Sequence, residues 1–214
     1  MIDVDVYELD IQDLEEGYLP YIECLSAERQ EAVKRFLFFK DKAICLWSGL
    51  LVRKIISERY GVKIPEQKYG VSQKGKPFYY GSSVQFNISH SSKKIIVGFA
   101  LSDIGVDVEK IEDAPLQIMG MVFHDNEIRY VSDGVGEEQN KRFFKVWTRK
   151  ESFCKCSGKG LNDDLKYVNT LEKGMDEKFY SWENNGYCYS IFMEKDFKVY
   201  HHPVSIEDID HFYV

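Results

Sequence analysis

Three groups of polar residues in this chain have types and spacings suited to chemistry. The first is Asp107 and Glu109, which flank Val108 in the run Gly105-Val106-Asp107-Val108-Glu109. Side chains alternate faces along a strand, so both carboxylates point one way while Val106 and Val108 point to the core. Adjacent carboxylates repel unless a cation or a base lies between them. An all-oxygen pair suits a hard ion such as Mg²⁺; the alternative is a solvated strand face. The second group lies in Trp147-Thr148-Arg149-Lys150-Glu151-Ser152-Phe153. Wound as a helix, this segment puts Lys150 in the middle of an apolar arc that includes Phe143, Phe144, Val146 and Cys154, with Glu151 at the arc's edge. Charges placed there need partners or ligands. Lys155 lies four residues on and shares the Glu151 face, so a Glu151–Lys155 ion pair and a snorkelling Lys150 are the plain alternatives.

The third group is Asn87-Ile88-Ser89-His90-Ser91-Ser92, followed by Lys93 and Lys94. Hydroxyls, loop amides, an imidazole and ammonium groups together suit an anion; a serine-rich turn with an incidental His is the other account. Gly75-Lys76-Pro77 taken alone is a turn signal.

The elements that must hold these groups follow from periodicity. Met1–Leu9 alternates imperfectly and is expected to be an acidic edge strand. Ser26 is the expected N-cap of a helix beginning Ala27-Glu28. Asp41 is expected to cap a longer helix with the stripe Ile44, Trp47, Leu51 and Ile55, stopped at Gly61. A loop from Gly70 to Gly81 leads to a half-buried strand containing Val84, Phe86 and Ile88. Lys94–Leu101 is a second strand, Ser102-Asp103 a turn, and Ile104–Ile111 a third strand. A helical region Leu116–Val131, a polar break at 132–136 and a long helix of about Glu137–Cys156 come next. Gly158-Lys159-Gly160 ends that helix, and aromatic-rich strands run to Val199. Strands and helices segregate, so the fold class is α+β. The similar element order in the two halves predicts two α+β subdomains, 1–103 and 104–214, in a pseudo-twofold arrangement. Each would pack a long helix on a small, mostly antiparallel sheet, with a short C-terminal tail.

Of 214 residues, 28 are Lys or Arg and 35 are Asp or Glu, a net charge of −7 that disfavours nucleic acid and anionic membranes as partners. The charge is uneven. Asp3 to Glu16 holds seven acids and no base, whereas Lys141 to Lys159 holds seven bases and one acid, Glu151. The N-terminus has no signal-peptide pattern and no apolar run approaches the ~20 residues of a membrane span. Five cysteines without framework spacing suit a reducing compartment. A cytoplasmic protein is therefore expected.

Gly-Lys-Pro, Phe86-Asn87-Ile88-Ser89-His90-Ser91, Gly105-Val106-Asp107-Val108-Glu109 and Trp147-Thr148-Arg149-Lys150-Glu151-Ser152-Phe153 occur in this order, with Lys155 and Gly158-Lys159-Gly160-Leu161 after them. This combination resembles the 4′-phosphopantetheinyl transferase superfamily, in its larger, monomeric, Sfp-like type, from about Ser26 to the C-terminal strands. The resemblance implies transfer of the 4′-phosphopantetheine arm of coenzyme A to a serine of an apo acyl or peptidyl carrier protein, with release of adenosine 3′,5′-bisphosphate. It implies two similar halves with coenzyme A between them, and a Mg²⁺ ion, or Mn²⁺ in its place, on Asp107, Glu109 and Glu151. Glu151 is then the first choice for general base and Glu127 the second. Lys155 would stabilise or protonate the leaving phosphate, and Lys150 would add charge at the pyrophosphate or steady the carboxylates. Ser89 and His90 resemble coenzyme A phosphate ligands, and the Lys76-Pro77 backbone resembles the loop that meets adenine.

The chain departs from the family at Ile44, where an Arg often binds the 3′-phosphate, and at Ala32, which replaces a basic residue. Arg29 keeps a basic position, so the expected clamp is Arg29 and His90 with Lys40 or Lys42. The basic segment Lys141–Lys159 would attract an acidic carrier, and Met119, Met121, Val122 and Phe123 would dock it or form core. The competing functions are a Mg²⁺-dependent pyrophosphate hydrolase and a non-catalytic protein that binds coenzyme A or a carrier.

Overall fold

A computed structural model describes residues 1–11, 21–72, 75–80, 82–158 and 163–214. Lys159 and Gly160 of the expected helix stop, Leu161 after them, Gly81 at the end of the expected loop, and Asp13, Glu15 and Glu16 of the acidic stretch lie outside these residues. The chain begins with β1 (Ile2–Asp10), α1 (Ala27–Arg35) and α2 (Phe39–Tyr60), then β2 (Tyr69–Val71), β3 (Pro77–Tyr79), β4 (Gln85–Ser91), β5 (Lys94–Ala100) and β6 (Gly105–Lys110). The second half continues with α3 (Met119–Val122), α4 (Asp125–Ser132), α5 (Glu137–Ser157) and α6 (Lys173–Asp176). It ends with β7 (Phe179–Asn184), β8 (Tyr187–Phe192), β9 (Phe197–Val204) and α7 (Ile206–Tyr213). Among the described residues the strands form a sheet β4-β5-β1-β9, a hairpin β2-β3 and a sheet β6-β8-β7. The fold is α+β, with one long helix for each of the two larger sheets.

The α1 start is as expected: the Ser26 side chain accepts from the Arg29 N–H. At α2 the N-cap is Phe38, without a side-chain cap, and Asp41 sits inside the first turn. A carboxylate there meets the positive end of the helix dipole, which is why the acid signalled the start three residues late. Gly61 ends α2 with φ 67°, its N–H on the Ser57 carbonyl. The expected helix 116–131 is broken into a 3₁₀ turn Leu116–Ile118, the short α3, and α4. His124 caps α4 in a capping box with Glu127, so a new helix start interrupts what periodicity joined.

β1 is not an edge strand. It pairs antiparallel with β5 (Asp5 opposite Phe99) and parallel with β9 (Asp5 opposite Tyr200). Its acids meet basic side chains from around it: Asp5 contacts Arg59 of α2 and His202 of β9, and Asp10 pairs with Lys94 of β5. The aromatic tail also runs past Val199, through β9 to Val204 and then into α7, whose Ile209 joins the core under α2.

β5 is buried along its whole length because both of its faces are covered. Ile95, Val97 and Phe99 pack with Leu46, Trp47 and Leu50 of α2. Ile96 and Ala100 pack with Val4, Val6, Val106, Val108, Tyr189 and Ile191, so the two sheets share one apolar core. Gly105 permits the closest approach in the second half. A Cβ there would lie 1.8 Å from the Ser152 carbonyl oxygen and 2.5 Å from the Cys156 nitrogen of α5. Among the described residues no helix is long and apolar enough to cross a membrane. Since backbone cannot yield as a side-chain tip does, Gly105→Ala should cost about 3 kcal/mol or more. That corresponds to a thermal midpoint about 6–12 °C lower for a domain of this size, measurable by calorimetry.

Candidate active site

β4 has two working faces. Phe86, Ile88 and His90 line a cavity on one side. Asn87, Ser89 and Ser91 face β6 on the other, where Asn87 Oδ1 accepts from the Val106 N–H at 2.9 Å. Ser89 Oγ accepts from the Val108 N–H at 3.4 Å, and Ser91 Oγ accepts from the Lys110 N–H at 3.0 Å. Side chains thus take up backbone donors on the β6 edge, and the same hydroxyls donate onward. Ser89 Oγ donates to Asp107 Oδ1 at 2.8 Å, and Ser91 Oγ to Glu109 Oε2 at 2.7 Å. Ser91 was not singled out in the sequence as a site residue. The polar alternation Asn87, Ser89, Ser91 opposite the β6 register was the signal that could have found it.

Asp107 is buried rather than solvated. Its Oδ1 also accepts from Lys155 Nζ at 2.6 Å, and Lys155 reaches Ser89 Oγ at 2.8 Å. The Glu151–Lys155 ion pair, one of the plain alternatives, does not form among the described residues; Lys155 pairs with Asp107, the deeper carboxylate. Asp107 Oδ2 is buried with no hydrogen-bond partner among the described residues. Burial pushes the Asp107 carboxyl up, against the pull of Lys155 and Ser89. Burial and then the Asp107 charge raise Glu109 to about 7, with Ser91 and Trp147 pulling it back. Glu151 is raised by the same two causes and lowered by Lys155. Glu109 and Glu151 thus each feel the charge of Asp107. Among the described residues no three His, Cys, Asp or Glu side chains form a group ready to hold a metal. The orphaned Asp107 oxygen and the all-oxygen donor set nevertheless fit a hard cation in chemistry.

Lys150 and Glu127 do something else. Lys150 Nζ lies 2.7 Å from Glu127 Oε2, both side chains essentially without solvent exposure. The ammonium also donates to the carbonyl oxygens of Leu165 and Val168. Its three donors are spent. Glu127 accepts from the His124 N–H, the Thr170 N–H and the Thr170 hydroxyl besides Lys150, which uses its four lone-pair sites. Neither group has capacity left for a phosphate or a serine proton. Of the expected places for Lys150, at the pyrophosphate or steadying the carboxylates, and for Glu127, as alternative base, the structure shows Lys150 on Glu127 itself, and the pair anchors segment 165–170 between α4 and α5.

The basic segment is mostly spent in the same way. Arg142 pairs with Glu138 and Arg149 with Asp176, and Lys145 lies over the Tyr130 ring. Of the apolar candidates after β6, Phe123 is core and Met121 is exposed.

The cavity of about 690 Å³ lies in the first half, with Arg29, Ile44, Cys45, Val52, Phe86 and His90 on its walls. Arg29 donates to the Cys45 carbonyl at 2.9 Å and Ser48 Oγ at 2.6 Å, with no carboxylate partner among the described residues. Gly49 leaves room for it, since a Cβ there would lie 2.5 Å from Arg29 Nε. Ile44 contributes apolar wall; Lys40 and Lys42 are not among the lining residues. Pro77 lines the cavity, whereas Ser89 faces Asp107 instead.

The sequence profile of the 4′-phosphopantetheinyl transferase superfamily matches residues 103–202, and that of the 4′-phosphopantetheinyl transferase N-terminal region matches residues 12–100. The 4′-phosphopantetheinyl transferase ffp of Bacillus subtilis is 37% identical over 139 residues, 64% of this chain and 62% of that protein. The transferase gsp of Aneurinibacillus migulanus is 31% identical over 137 residues, 64% of this chain and 57% of that protein. Sfp of Bacillus subtilis strain 168 is 32% identical over 152 residues, 71% of this chain and 66% of that protein. The aligned stretches span less than two thirds of these relatives' lengths. The chain belongs to the 4′-phosphopantetheinyl transferase superfamily and is of its Sfp type.

Two measurements check the site's energetics. Between about pH 4.5 and about 7 folded Glu109 keeps a proton that the unfolded chain has lost. Metal-free stability should therefore fall as pH rises through that window. Urea unfolding should show the decline, and Glu109→Gln should flatten it. Lys150→Met should cost about 3–5 kcal/mol by stranding Glu127. Lys150→Met with Glu127→Leu should cost clearly less than the two single changes summed, in a double-mutant cycle.

Proposed function

We propose that this chain transfers the 4′-phosphopantetheine arm of coenzyme A to a serine of an apo acyl or peptidyl carrier protein. The observation that carries the reading is the coupled group Asp107, Glu109 and Glu151 with Lys155, set across β4 from a cavity of about 690 Å³ that suits a nucleotide. Family membership supports it. In this reading the cavity takes the nucleotide end of coenzyme A, with Arg29 and His90 toward its 3′-phosphate and the Lys76-Pro77 backbone along the base. The pyrophosphate lies toward Ser89, Lys155 and the carboxylates.

The carrier serine oxygen attacks the β-phosphorus, the bond to the α-phosphate oxygen breaks, and adenosine 3′,5′-bisphosphate leaves. Glu151 is half-buried and takes the serine proton; Glu127, enclosed by its own partners, does not. Lys155 offsets charge on the leaving phosphate. A Mg²⁺ or Mn²⁺ ion held by Asp107, Glu109 and Glu151 would neutralise the pyrophosphate when bound. The proposal includes a monomer in the cytoplasm, divided near Asp103 into two halves, with the ligand between them. Met121 is the exposed apolar residue available to a carrier, since Phe123 is core.

The test incubates the chain with coenzyme A, Mg²⁺ and a panel of apo carriers and follows carrier mass. A gain of one phosphopantetheine arm is expected, lost in Asp107→Ala and Glu151→Ala. Nucleotide release without carrier modification would select a hydrolase, and binding without turnover a non-catalytic protein.

A further inference from the structure

Lys76 has a side chain that none of these roles uses. Its Nζ donates to the carbonyl oxygen of Ile104 at 3.2 Å and to that of Cys156 at 3.1 Å. Ile104 immediately precedes β6, the strand of Asp107 and Glu109. Cys156 lies in the last turn of α5, the helix of Glu151 and Lys155. Last-turn carbonyls lack intrahelical donors and form the negative end of the helix dipole, so an ammonium is favoured there. The main chain of Lys76 belongs to the first half. Its N–H donates to Ser72 Oγ at 3.1 Å, its carbonyl accepts from the Ser72 N–H at 2.8 Å, and its neighbours Gly75 and Pro77 line the cavity. One residue therefore grips the cavity wall through its backbone and both carboxylate-bearing elements through its side chain.

We infer that Lys76 is a positioning residue whose side chain fixes the cavity wall against the start of β6 and the end of α5. The inference rests on the reading that one ligand engages both the cavity and the carboxylate group. A ligand confined to the cavity is indifferent to that spacing. A ligand spanning both sites gains from it, because its second contact is made at a high effective concentration only while the geometry holds. The length of the side chain and its two carbonyl partners define the latch. Methionine keeps the stem and removes the donors; arginine keeps donors able to reach both carbonyls.

The full chain is titrated calorimetrically with adenosine 3′-phosphate, which keeps the base and the 3′-phosphate but has no phosphate at the 5′ position and so engages the cavity alone, and with coenzyme A in the presence of Mg²⁺; KM and kcat are measured in the carrier-mass assay. In Lys76→Met, adenosine 3′-phosphate affinity should stay within about threefold, while coenzyme A affinity weakens and its KM rises by about tenfold or more. Lys76→Arg should recover most of the loss. Equal weakening for both ligands, or no change for either, overturns the latch. Should Lys76→Met fail to fold, Lys76→Gln enters the same two titrations with the same expectations. Failure of the underlying reading shows separately, in the unmodified chain, as coenzyme A bound no more tightly than adenosine 3′-phosphate and no carrier modified; that result overturns the latch with it.

Discussion

The arrangement of the site depends on a seam made by side chains where backbone pairing is absent. β4 ends one sheet and β6 ends another, and they meet through Asn87, Ser89 and Ser91 on the N–H groups of Val106, Val108 and Lys110. A backbone ladder would have brought the strands to ordinary sheet spacing. The side-chain seam leaves space in which Asp107 and Glu109 can project and be held. Ser89 and Ser91 each accept from a backbone donor and give their own proton to a carboxylate, so joining the sheets and orienting the acids is a single network. Such a network is stable only when fully satisfied. Among the described residues Asp107 Oδ2 has no partner, so the network is left open at its most buried carboxylate.

The second half is stiffened by a different polar device. Lys150 and Glu127 would each be costly alone at that depth, and together with Thr170 and two carbonyls they consume every donor and acceptor they bring. The pair pins segment 165–170 onto α5 directly behind Glu151. Adjacent helix positions thus divide the labour: Lys150 turns inward to structure, and Glu151 turns toward Asp107 and the seam. The concentration of bases in α5 follows largely from the number of acids, carbonyls and rings packed around it.

Much of this was legible in the sequence, and the failures have physical causes. Strand alternation placed Val106 and Val108 in the core and put Asp107 and Glu109 on one face. Helical periodicity found α2 and α5 nearly to their ends, and Gly61 stopped α2 as its αL conformation requires. The anomaly at Lys150 was visible, but its partner was not, because Glu127 is distant in sequence and its own helix was merged with α3 by a pattern that cannot see His124 as a cap. The acids of β1 looked like an exposed edge because their partners lie on α2, β5 and β9. Parallel pairing with a strand from the far end of the chain leaves no local signature. The double use of Asn87, Ser89 and Ser91 was hidden for the opposite reason: the motif was conspicuous, and a ligand site was explanation enough for it.

The return of β9 beside β1 completes the argument about positioning. Phe197–Val204 follows the second sheet in sequence yet hydrogen-bonds to the first, and α7 then packs under α2. The second half is therefore held to the first at both of its ends, by the short turn before β6 and by β9. Between those ties lie the shared apolar core of Val4, Val6, Ile96, Val106 and Val108, the seam from β4 and the Lys76 contacts. Apolar burial supplies most of the adhesion and is indifferent to small shifts. The polar contacts add little net stability apiece but tolerate little displacement. The distance from the cavity to the carboxylates is thus set by the weaker interactions, because they are the directional ones.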